Sequence, residues 1–227
     1  MFTEPQKGVF NYTEGEVVAT LAAENNKTLR CHALVWHSQL SPWVSTTNWT
    51  ADAMRDAIVS HVNNVAGHWK GRCYAWDVVN EALDEDGSWR KSVFYNTLGP
   101  EFIKIAFKAA AKADPTAKLY YNDYGIERPN NKSAAAKAIV KMLQDDGIKI
   151  DGVGLQAHLH AETHPTIAEH EAVMRSFADM GVDVAVTELD VRIKLPLTPA
   201  GLAGQTDSYQ NVSDDHTIFK ETLLTVL

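Results

Sequence analysis

The sequence predicts an α/β fold of the (β/α)8 TIM-barrel type, of which this chain carries about five of the eight strands. Apolar segments of strand length alternate with amphipathic helical segments, the order that parallel βαβ units produce. Polar side chains follow each apolar segment, and such barrels hold their chemistry at the carboxyl ends of the strands. No glycine-rich phosphate loop follows any of these segments, which disfavours an open, doubly wound sheet. Because five strands do not close an eight-stranded barrel, the predicted barrel is incomplete.

In the first half of the chain, the pattern predicts two helices and two strands. Residues 14–25 are predicted as a helix, and the apolar run over residues 28–37, which lacks a helical period, as a buried strand. Thr50 caps the next helix, whose apolar side chains recur at spacings of three and four and form one face: Met54, Ile58, Val62, Val65 and Trp69. A second buried strand is predicted over residues 73–80.

The second half of the chain predicts three further helices and three further strands. Pro100 opens a helix that ends at the Asp-Pro pair 114–115, and an alanine-rich helix covers residues 133–144. Thr166 and Glu169 form a capping box at the start of the last predicted helix. The apolar segments between these helices predict strands over residues 118–122, 153–157 and 183–188.

Composition limits the classes of protein and of partner. The chain has 227 residues, of which 45% are hydrophobic and 22% charged, as in a soluble globular domain. The 29 acidic residues outnumber the 21 basic ones, and the resulting net charge of −8 is the opposite of what a nucleic-acid-binding surface needs. No apolar run approaches the ~18 residues of a membrane span. The sequence therefore predicts neither a nucleic-acid partner nor a membrane partner.

Two glutamates stand at the ends of predicted strands. Glu81 follows the strand over residues 73–80, and Glu188 ends the strand over residues 183–188. A retaining glycosidase needs two carboxyl groups about 5–5.5 Å apart, one as the nucleophile and the other as acid and base. Separate strands of one barrel can aim two such side chains into a shared mouth. The alternative is that both are solvated loop acids, which is less natural at the end of an apolar strand.

Aromatic and polar side chains accompany the glutamates at the other strand ends. A sugar-binding cleft combines flat apolar surface with a few placed hydrogen-bonding groups. Flat apolar surface is offered by Trp36, Trp43 and Tyr124, and hydrogen-bonding groups by His32, Gln39, Asn80, Asn122 and Gln156. Trp69 and Trp76 are predicted to lie in the core instead.

Five stretches together make the sequence similar to a known family. They are residues 32–39 (HALVWHSQ), 76–81 (WDVVNE), 121–124 (YNDY), 156–158 (QAH) and 187–190 (TELD). In this order and at these separations they resemble the family 10 glycoside hydrolases, which are endo-1,4-β-xylanases with a (β/α)8 barrel. The resemblance implies hydrolysis of xylan with retention of configuration, and it implies no cofactor.

The resemblance also implies a role for each matching residue. Glu81 matches the acid/base and Glu188 the nucleophile. Asn80 matches the residue that bonds the 2-hydroxyl of the sugar being cleaved, a contact that strengthens in the transition state. His158 is expected to hold Glu188, and Asp190 to orient His158. The other expected substrate contacts are Gln156 and Asn122 beside the acid, His32, Trp36 and Gln39 on the glycone side, and Tyr124 on the aglycone side.

The resemblance covers residues 1 to about 195 and so divides the chain. We expect residues 1–195 to form a partial (β/α)8 catalytic domain and residues 196–227 a divergent C-terminal tail. Relative to the family the chain is truncated at both ends, so unpaired strand edges and self-association are expected, whereas the complete enzyme is expected to be a monomer. The alternative function is that of a catalytically impaired fragment.

The family and five glycosylation sequons imply a secreted protein, although no signal peptide is visible in this chain. The sequons lie at Asn11, Asn26, Asn48, Asn131 and Asn211.

A cluster of histidines offers a competing metal site, and two cysteines offer one possible bridge. Zinc ligands of the kind found in barrel hydrolases are present at His158, His160, Glu162 and His164. Under this alternative the chain is a zinc-dependent hydrolase. Cys31 and Cys73 each start one of two neighbouring predicted strands, and we expect them to be buried free thiols.

Overall fold

The computed structural model describes residues 3–193 of the chain. Five parallel strands in this range form one sheet in the order β1-β2-β3-β4-β6: β1 (Leu29–Trp36), β2 (Cys73–Asn80), β3 (Lys118–Asp123), β4 (Gly152–Leu155) and β6 (Asp183–Val186). All five predicted strands are confirmed, and their ends differ from the predicted ones by two residues at most. Two short parallel strands pair with each other beyond the ends of β4 and β6, namely β5 (His158–His160) and β7 (Asp190–Arg192).

Helices precede the sheet and connect its strands. Within residues 3–193 they are α1 (Thr13–Glu24), α2 (Pro42–Ser45), α3 (Ala51–His68), α4 (Val93–Leu98), α5 (Glu101–Ala113), α6 (Asn131–Asp145) and α7 (Ile167–Ala178). The hydroxyl of Thr50 accepts from the Ala53 amide at the start of α3, and Thr166 and Glu169 form the predicted capping box of α7. The pattern does not predict α2 and α4, because four and six residues are too few to show a helical period.

The core lies between the sheet and the helices that cover it. α3 packs against β1 and α5, and α5 packs in turn against β2. The predicted apolar face of α3 is buried, since Met54, Ile58, Val62 and Val65 are each at most 5% exposed. Trp69 and Trp76 are buried as well, which confirms their assignment to the core. Among these helices none is both long and apolar enough to cross a bilayer.

A disulfide joins the beginnings of β1 and β2, so the expectation of free thiols at Cys31 and Cys73 is wrong. The two strands are neighbours, and Leu29 is the register partner of Cys73. Cys31 therefore lies only two residues further along the adjacent strand, with 5.8 Å between the two Cα atoms. The sequence shows which strands begin with cysteine, but it does not show on which face of a strand each side chain lies.

We expect the double variant Cys31→Ser, Cys73→Ser to unfold more easily than the parent chain. The disulfide closes a loop of 42 residues, and the loop entropy corresponds to a stabilisation of about 3–4 kcal/mol. Denaturant unfolding with and without reductant measures this difference. Reductant should destabilise the parent and leave the double variant unchanged; equal stability of parent and variant would contradict the expectation.

Candidate active site

The parallel register of the sheet brings the candidate residues to one edge. Trp36 of β1 is the register partner of Asn80 of β2, and Asn80 is the partner of Asn122 of β3. Gly154 of β4 is the next partner in this row. The structure thus places three predicted site residues side by side at the carboxyl ends of the strands.

Buried amides connect the two candidate glutamates. The side-chain amide of Asn122 donates to Glu188 Oε1 (2.8 Å) and to Asn80 Oδ1 (3.0 Å). The amide of Asn80 donates to Glu81 Oε1 (3.3 Å), and that of Gln156 donates to Asn80 Oδ1 and Glu81 Oε1 (3.1 Å each). All three amide side chains belong to buried residues. The two carboxyl groups therefore face the same hydrogen-bonded cluster although they come from different strands.

A glycine makes room for this bridge. An alanine methyl at Gly154 would collide with Asn122 Oδ1 and would lie 2.9 Å from Thr187 Cγ2. The Thr187 hydroxyl donates to Asn122 Oδ1 at 2.7 Å, so the carbonyl end of the amide is occupied and its NH2 end is left for Asn80 and Glu188. The orientation of the Asn122 amide is thus fixed by its neighbours.

The other oxygen of Glu188 lies against His158, whose second ring nitrogen is held by Asp190. His158 Nε2 is 3.3 Å from Glu188 Oε2, and His158 Nδ1 is 2.7 Å from Asp190 Oδ2. The pairing of β5 with β7 places His158 and Asp190 in register. The predicted carboxylate–imidazole–carboxylate arrangement is therefore present, and the two short strands that the sequence pattern does not predict are what align it.

A second histidine faces Glu188 from β1. His32 Nδ1 lies 3.0 Å from Asp77 Oδ2 and 4.0 Å from Glu188 Oε1. Burial favours the neutral imidazole, but the hydrogen bond to Asp77 and the charges of Asp77, Glu188 and Glu81 outweigh it and raise the pKa of His32. Asp77 is itself buried and paired with Arg30, whose Nη2 is 2.5 Å from Asp77 Oδ1. His32 thus presents positive charge to Glu188 at a higher pH than an ordinary histidine does.

Glu81 is held in a left-handed turn directly after β2. Its φ is 56°, a conformation that costs energy for any residue with a side chain. Its amide donates to the Asn122 carbonyl at 2.9 Å, and its own carbonyl accepts from Arg90 Nε at 2.9 Å. His37 Nδ1 lies 3.8 Å from Glu81 Oε2. Burial and the positive charge of Arg90 lower the pKa of His37, because together they outweigh the negative charges of Glu81 and Asp84. This imidazole therefore stays neutral at neutral pH.

The aglycone-side candidate, Tyr124, lies over a buried ion pair. Its hydroxyl accepts from Arg90 Nη2 at 2.9 Å, and Lys132 Nζ is 3.4 Å from the centre of its ring. Lys132 is paired with Asp123 (Nζ–Oδ1 3.0 Å), and both side chains are buried. Burial raises the pKa of Asp123 to about 6, because the nearby Lys132 charge and the hydrogen bonds to the carboxylate offset the loss of water only in part.

Trp36, Gln39 and Trp43 differ in how the structure places them. Trp36 is half-buried and meets His32 and His37 edge to face, with ring centres 5.9 and 6.1 Å apart. Gln39 is exposed in a left-handed turn after β1, and its substrate contact stays a prediction. Trp43 packs edge to face on Trp49 and donates to a backbone carbonyl, so its ring serves hydrophobic packing.

Sequence reasoning missed four residues of this cluster: His37, Asp77, Arg90 and Thr187. A carboxylate inside the apolar strand 73–80 was a usable signal for Asp77, because a buried charge needs a partner. Nothing in the sequence marks Arg90, which lies nine residues after Glu81 in the same connection between β2 and α4 and folds back onto the turn.

The zinc alternative gains no support from the arrangement of side chains. His158 is occupied by Glu188 and Asp190, and His164 Nδ1 lies 2.9 Å from its neighbour's backbone carbonyl. Between residues 3 and 193, no three side chains of His, Cys, Asp or Glu converge in a way that could hold a metal ion.

Comparisons with known proteins agree on one family. The family model for glycosyl hydrolase family 10 matches residues 1–223. Endo-1,4-beta-xylanase A of Humicola insolens is 61% identical over 93% of this chain and 56% of that protein. Endo-1,4-beta-xylanase D of Talaromyces funiculosus is 50% identical over 93% of this chain and 52% of that protein. The chain thus spans about half the length of the curated relatives it matches.

Similar solved structures confirm the predicted fold class. A GH10 xylanase from Bispora sp. MEY-1 with xylobiose superimposes with a TM-score of 0.84 at 45% identity, over 90% of this chain and 64% of that one. Penicillium canescens endo-1,4-beta-xylanase XylE gives a TM-score of 0.84 at 43% identity, over 92% of this chain and 64% of that one. The parallel sheet and its helices are therefore part of a (β/α)8 barrel.

We expect Gly154→Ala to displace the Asn122 amide and so to destabilise the chain by about 1–3 kcal/mol. The added methyl has no room beside Asn122 Oδ1. The measurement is the free energy of unfolding, together with the NMR shifts of the Asn122 side-chain NH2. Gly67→Ala is the matched control, because a methyl at Gly67 in α3 meets no atom within 4 Å. An unchanged Asn122 signal in Gly154→Ala would contradict this account of the bridge.

Proposed function

The chain belongs to glycosyl hydrolase family 10, and from this premise we propose that it works as an endo-1,4-β-xylanase, which hydrolyses internal β-1,4-xylosidic bonds of xylan. The observation that carries the proposal is the amide bridge of Asn80 and Asn122 between the carboxyl groups of Glu81 and Glu188. The names of the similar proteins support xylan as the substrate, and one similar structure contains xylobiose.

In the first step, Glu188 is the nucleophile and Glu81 the acid. A Glu188 oxygen forms a bond to the anomeric carbon while the bond from that carbon to the leaving oxygen breaks. Glu81 transfers its proton to the leaving oxygen. The contacts of Glu188 support this role, because Asn122 holds one of its oxygens and His158 lies against the other. Both contacts fix the carboxylate where it must attack.

In the second step, the direction of proton transfer at Glu81 reverses. Glu81, now a carboxylate, takes a proton from water while the water oxygen bonds to the anomeric carbon. The bond to Glu188 breaks, and the sugar leaves with the configuration it had in the substrate. A negative Glu81 finds donors in Asn80 and Gln156, which lie 3.3 and 3.1 Å from its Oε1.

The remaining site residues bind the sugar chain. Asn80 hydrogen-bonds the 2-hydroxyl of the sugar being cleaved. Because Asn80 also contacts Asn122 and Glu81, this hydrogen bond has a fixed position relative to both glutamates. His32, Trp36 and Gln39 line the glycone side. Tyr124 lines the aglycone side, where the Lys132 and Arg90 contacts fix its ring and hydroxyl.

We assign the chemistry to residues 1–195 as the catalytic portion and place the protein outside the cell. The disulfide supports an extracellular setting, since such bonds persist where conditions are oxidising. The sequon asparagines Asn11, Asn26, Asn48 and Asn131 are exposed. The proposed tail, residues 196–227, and the sequon at Asn211 lie outside the described residues.

Self-association of this chain is also proposed. Three apolar side chains of α1 are more than half exposed: Val17 (66%), Val18 (58%) and Leu21 (60%). Within residues 3–193 the outer edges of β1 and β6 have no strand partner, and such edges pair readily. The same open edges favour the second candidate, a chain that keeps both glutamates but turns over slowly or not at all.

We expect xylan hydrolysis by the chain to release new reducing ends first as the β-anomer. Two displacements at the same carbon restore the starting configuration. NMR spectra recorded within minutes, before mutarotation, distinguish the anomers. The α-anomer as first product would overturn retention, and the absence of any new reducing ends would favour the impaired fragment.

We expect Glu188→Ala and Glu81→Ala to differ in how azide restores their activity on an aryl β-xylobioside. Each variant should lose at least about 10³-fold in kcat. Azide replacing the Glu188 carboxylate attacks the substrate once and gives an α-glycosyl azide. Azide attacking the covalent intermediate of Glu81→Ala gives a β-glycosyl azide. Glu171→Ala, an exposed glutamate paired with Arg175 on α7, is the control and should keep full activity. The opposite azide products would exchange the two roles.

A further inference from the structure

A single arginine donates to three consecutive carbonyls of the turn that carries Glu81. Arg90, just before α4, donates from Nε to the Glu81 carbonyl and from Nη2 to the Leu83 carbonyl, both at 2.9 Å. Its backbone amide donates to the Ala82 carbonyl, also at 2.9 Å. Three consecutive carbonyls thus have the same partner, which leaves the turn little freedom to rotate.

The same guanidinium reaches the aglycone side of the site. Arg90 Nη2 donates to the Tyr124 hydroxyl at 2.9 Å, and Nη1 is 3.1 Å from Asp84 Oδ1. Arg90 is only 19% exposed at its side chain, so these contacts form largely out of water. The planar fork of arginine serves several acceptors at once, which the single ammonium of lysine does not.

The opposite side of the turn is held by β3. The Glu81 amide donates to the Asn122 carbonyl at 2.9 Å, and the Ala82 amide donates to the Tyr121 hydroxyl at 3.2 Å. That hydroxyl donates in turn to Asp123. The strained left-handed conformation of Glu81 is therefore fixed from β3 on one side and from Arg90 on the other.

We propose that Arg90 is a positioning residue that locks the Glu81 turn and Tyr124 into one rigid unit, so that the proton donor and the leaving-group subsite keep one geometry. This inference rests on the proposed function. Proton transfer to the leaving oxygen requires Glu81 to lie within hydrogen-bond reach of it. The leaving sugar is held by Tyr124. A fixed position of Tyr124 relative to Glu81 therefore fixes the distance between the Glu81 carboxyl group and the leaving oxygen.

The first test compares two substrates in Arg90→Lys and Arg90→Met. Xylotetraose has a leaving sugar that must be protonated, whereas 2,4-dinitrophenyl β-xylobioside has a leaving group that departs without a proton. We expect kcat/KM, which reports the first step alone, to fall by about tenfold to a hundredfold on xylotetraose in both variants and by less than about threefold on the dinitrophenyl substrate. Tyr124→Phe removes only one of the arginine's contacts and should show the same split at a smaller size. Arg55→Lys, an exposed ion-pair partner in α3, is the control.

Equal losses on the two substrates would mean that Arg90 serves the fold in general, and no loss on xylotetraose would mean that the turn does not depend on it. Either result overturns the proposal. A parent chain inactive on both substrates would instead count against the proposed function.

Hydrogen exchange tests the lock without any turnover. In Arg90→Lys the amides of Glu81 and Ala82 should exchange at least about tenfold faster, while those of Val78 and Val79 in β2 keep their protection. Unchanged protection at Glu81 and Ala82 overturns the proposal even if the parent is inactive. Faster exchange spread over all four amides would show global loosening and overturn it as well.

Discussion

The side-chain amide of Asn122 is the contact on which the whole site depends. Its NH2 group reaches both Glu188 and Asn80, and its carbonyl is taken by the Thr187 hydroxyl. Such an orientation is possible only where the neighbouring strand leaves space, and Gly154 provides that space. The bridge therefore depends on three features at once: the register of the strands, the absence of a side chain at Gly154 and a buried hydrogen-bond network. If any of the three changes, the two glutamates lose the group that relates them.

Buried charge is the second constraint, and the fold meets it by pairing. Asp77 lies inside β2 yet faces both Arg30 and His32, and Asp123 at the end of β3 faces Lys132. Leaving one member of such a pair without its partner costs far more than the intact pair gains, so both members must be kept together. Both pairs contact candidate site residues, since Asp77 holds His32 and Lys132 Nζ lies 3.4 Å from the centre of the Tyr124 ring. Part of the polar content of this core therefore stabilises the position of site residues and contributes little to stability on its own.

The sequence predicts those features whose cause is local. Strand periods, the caps at Thr50 and Thr166, and the polar residues that end each strand all follow from neighbouring residues, and the structure confirms them. Features that depend on which strands are neighbours were missed or wrong. The disulfide of Cys31 depends on strand adjacency, and the β5–β7 pair depends on the ends of two other strands. The contacts of Arg90 were missed for another reason, because they depend on how the connection between β2 and α4 folds back on itself. The family resemblance assigned roles to residues at the cleft but not to those that hold them.

The two glutamates are held in different ways, and the difference suits their proposed tasks. Glu188 is fixed through its carboxylate, with Asn122 and His158 on separate oxygens. Glu81 is fixed through its backbone, by Arg90 on its carbonyl and by Asn122 on its amide, and through Oε1, which accepts from Asn80 and Gln156. Its Oε2 lies 3.8 Å from His37 Nδ1. A nucleophile must meet one carbon along one line, so its oxygens need fixed positions. A group that gives and regains a proton needs one oxygen within reach of substrate and water. A rigid backbone fixes the direction of the side chain without using that oxygen.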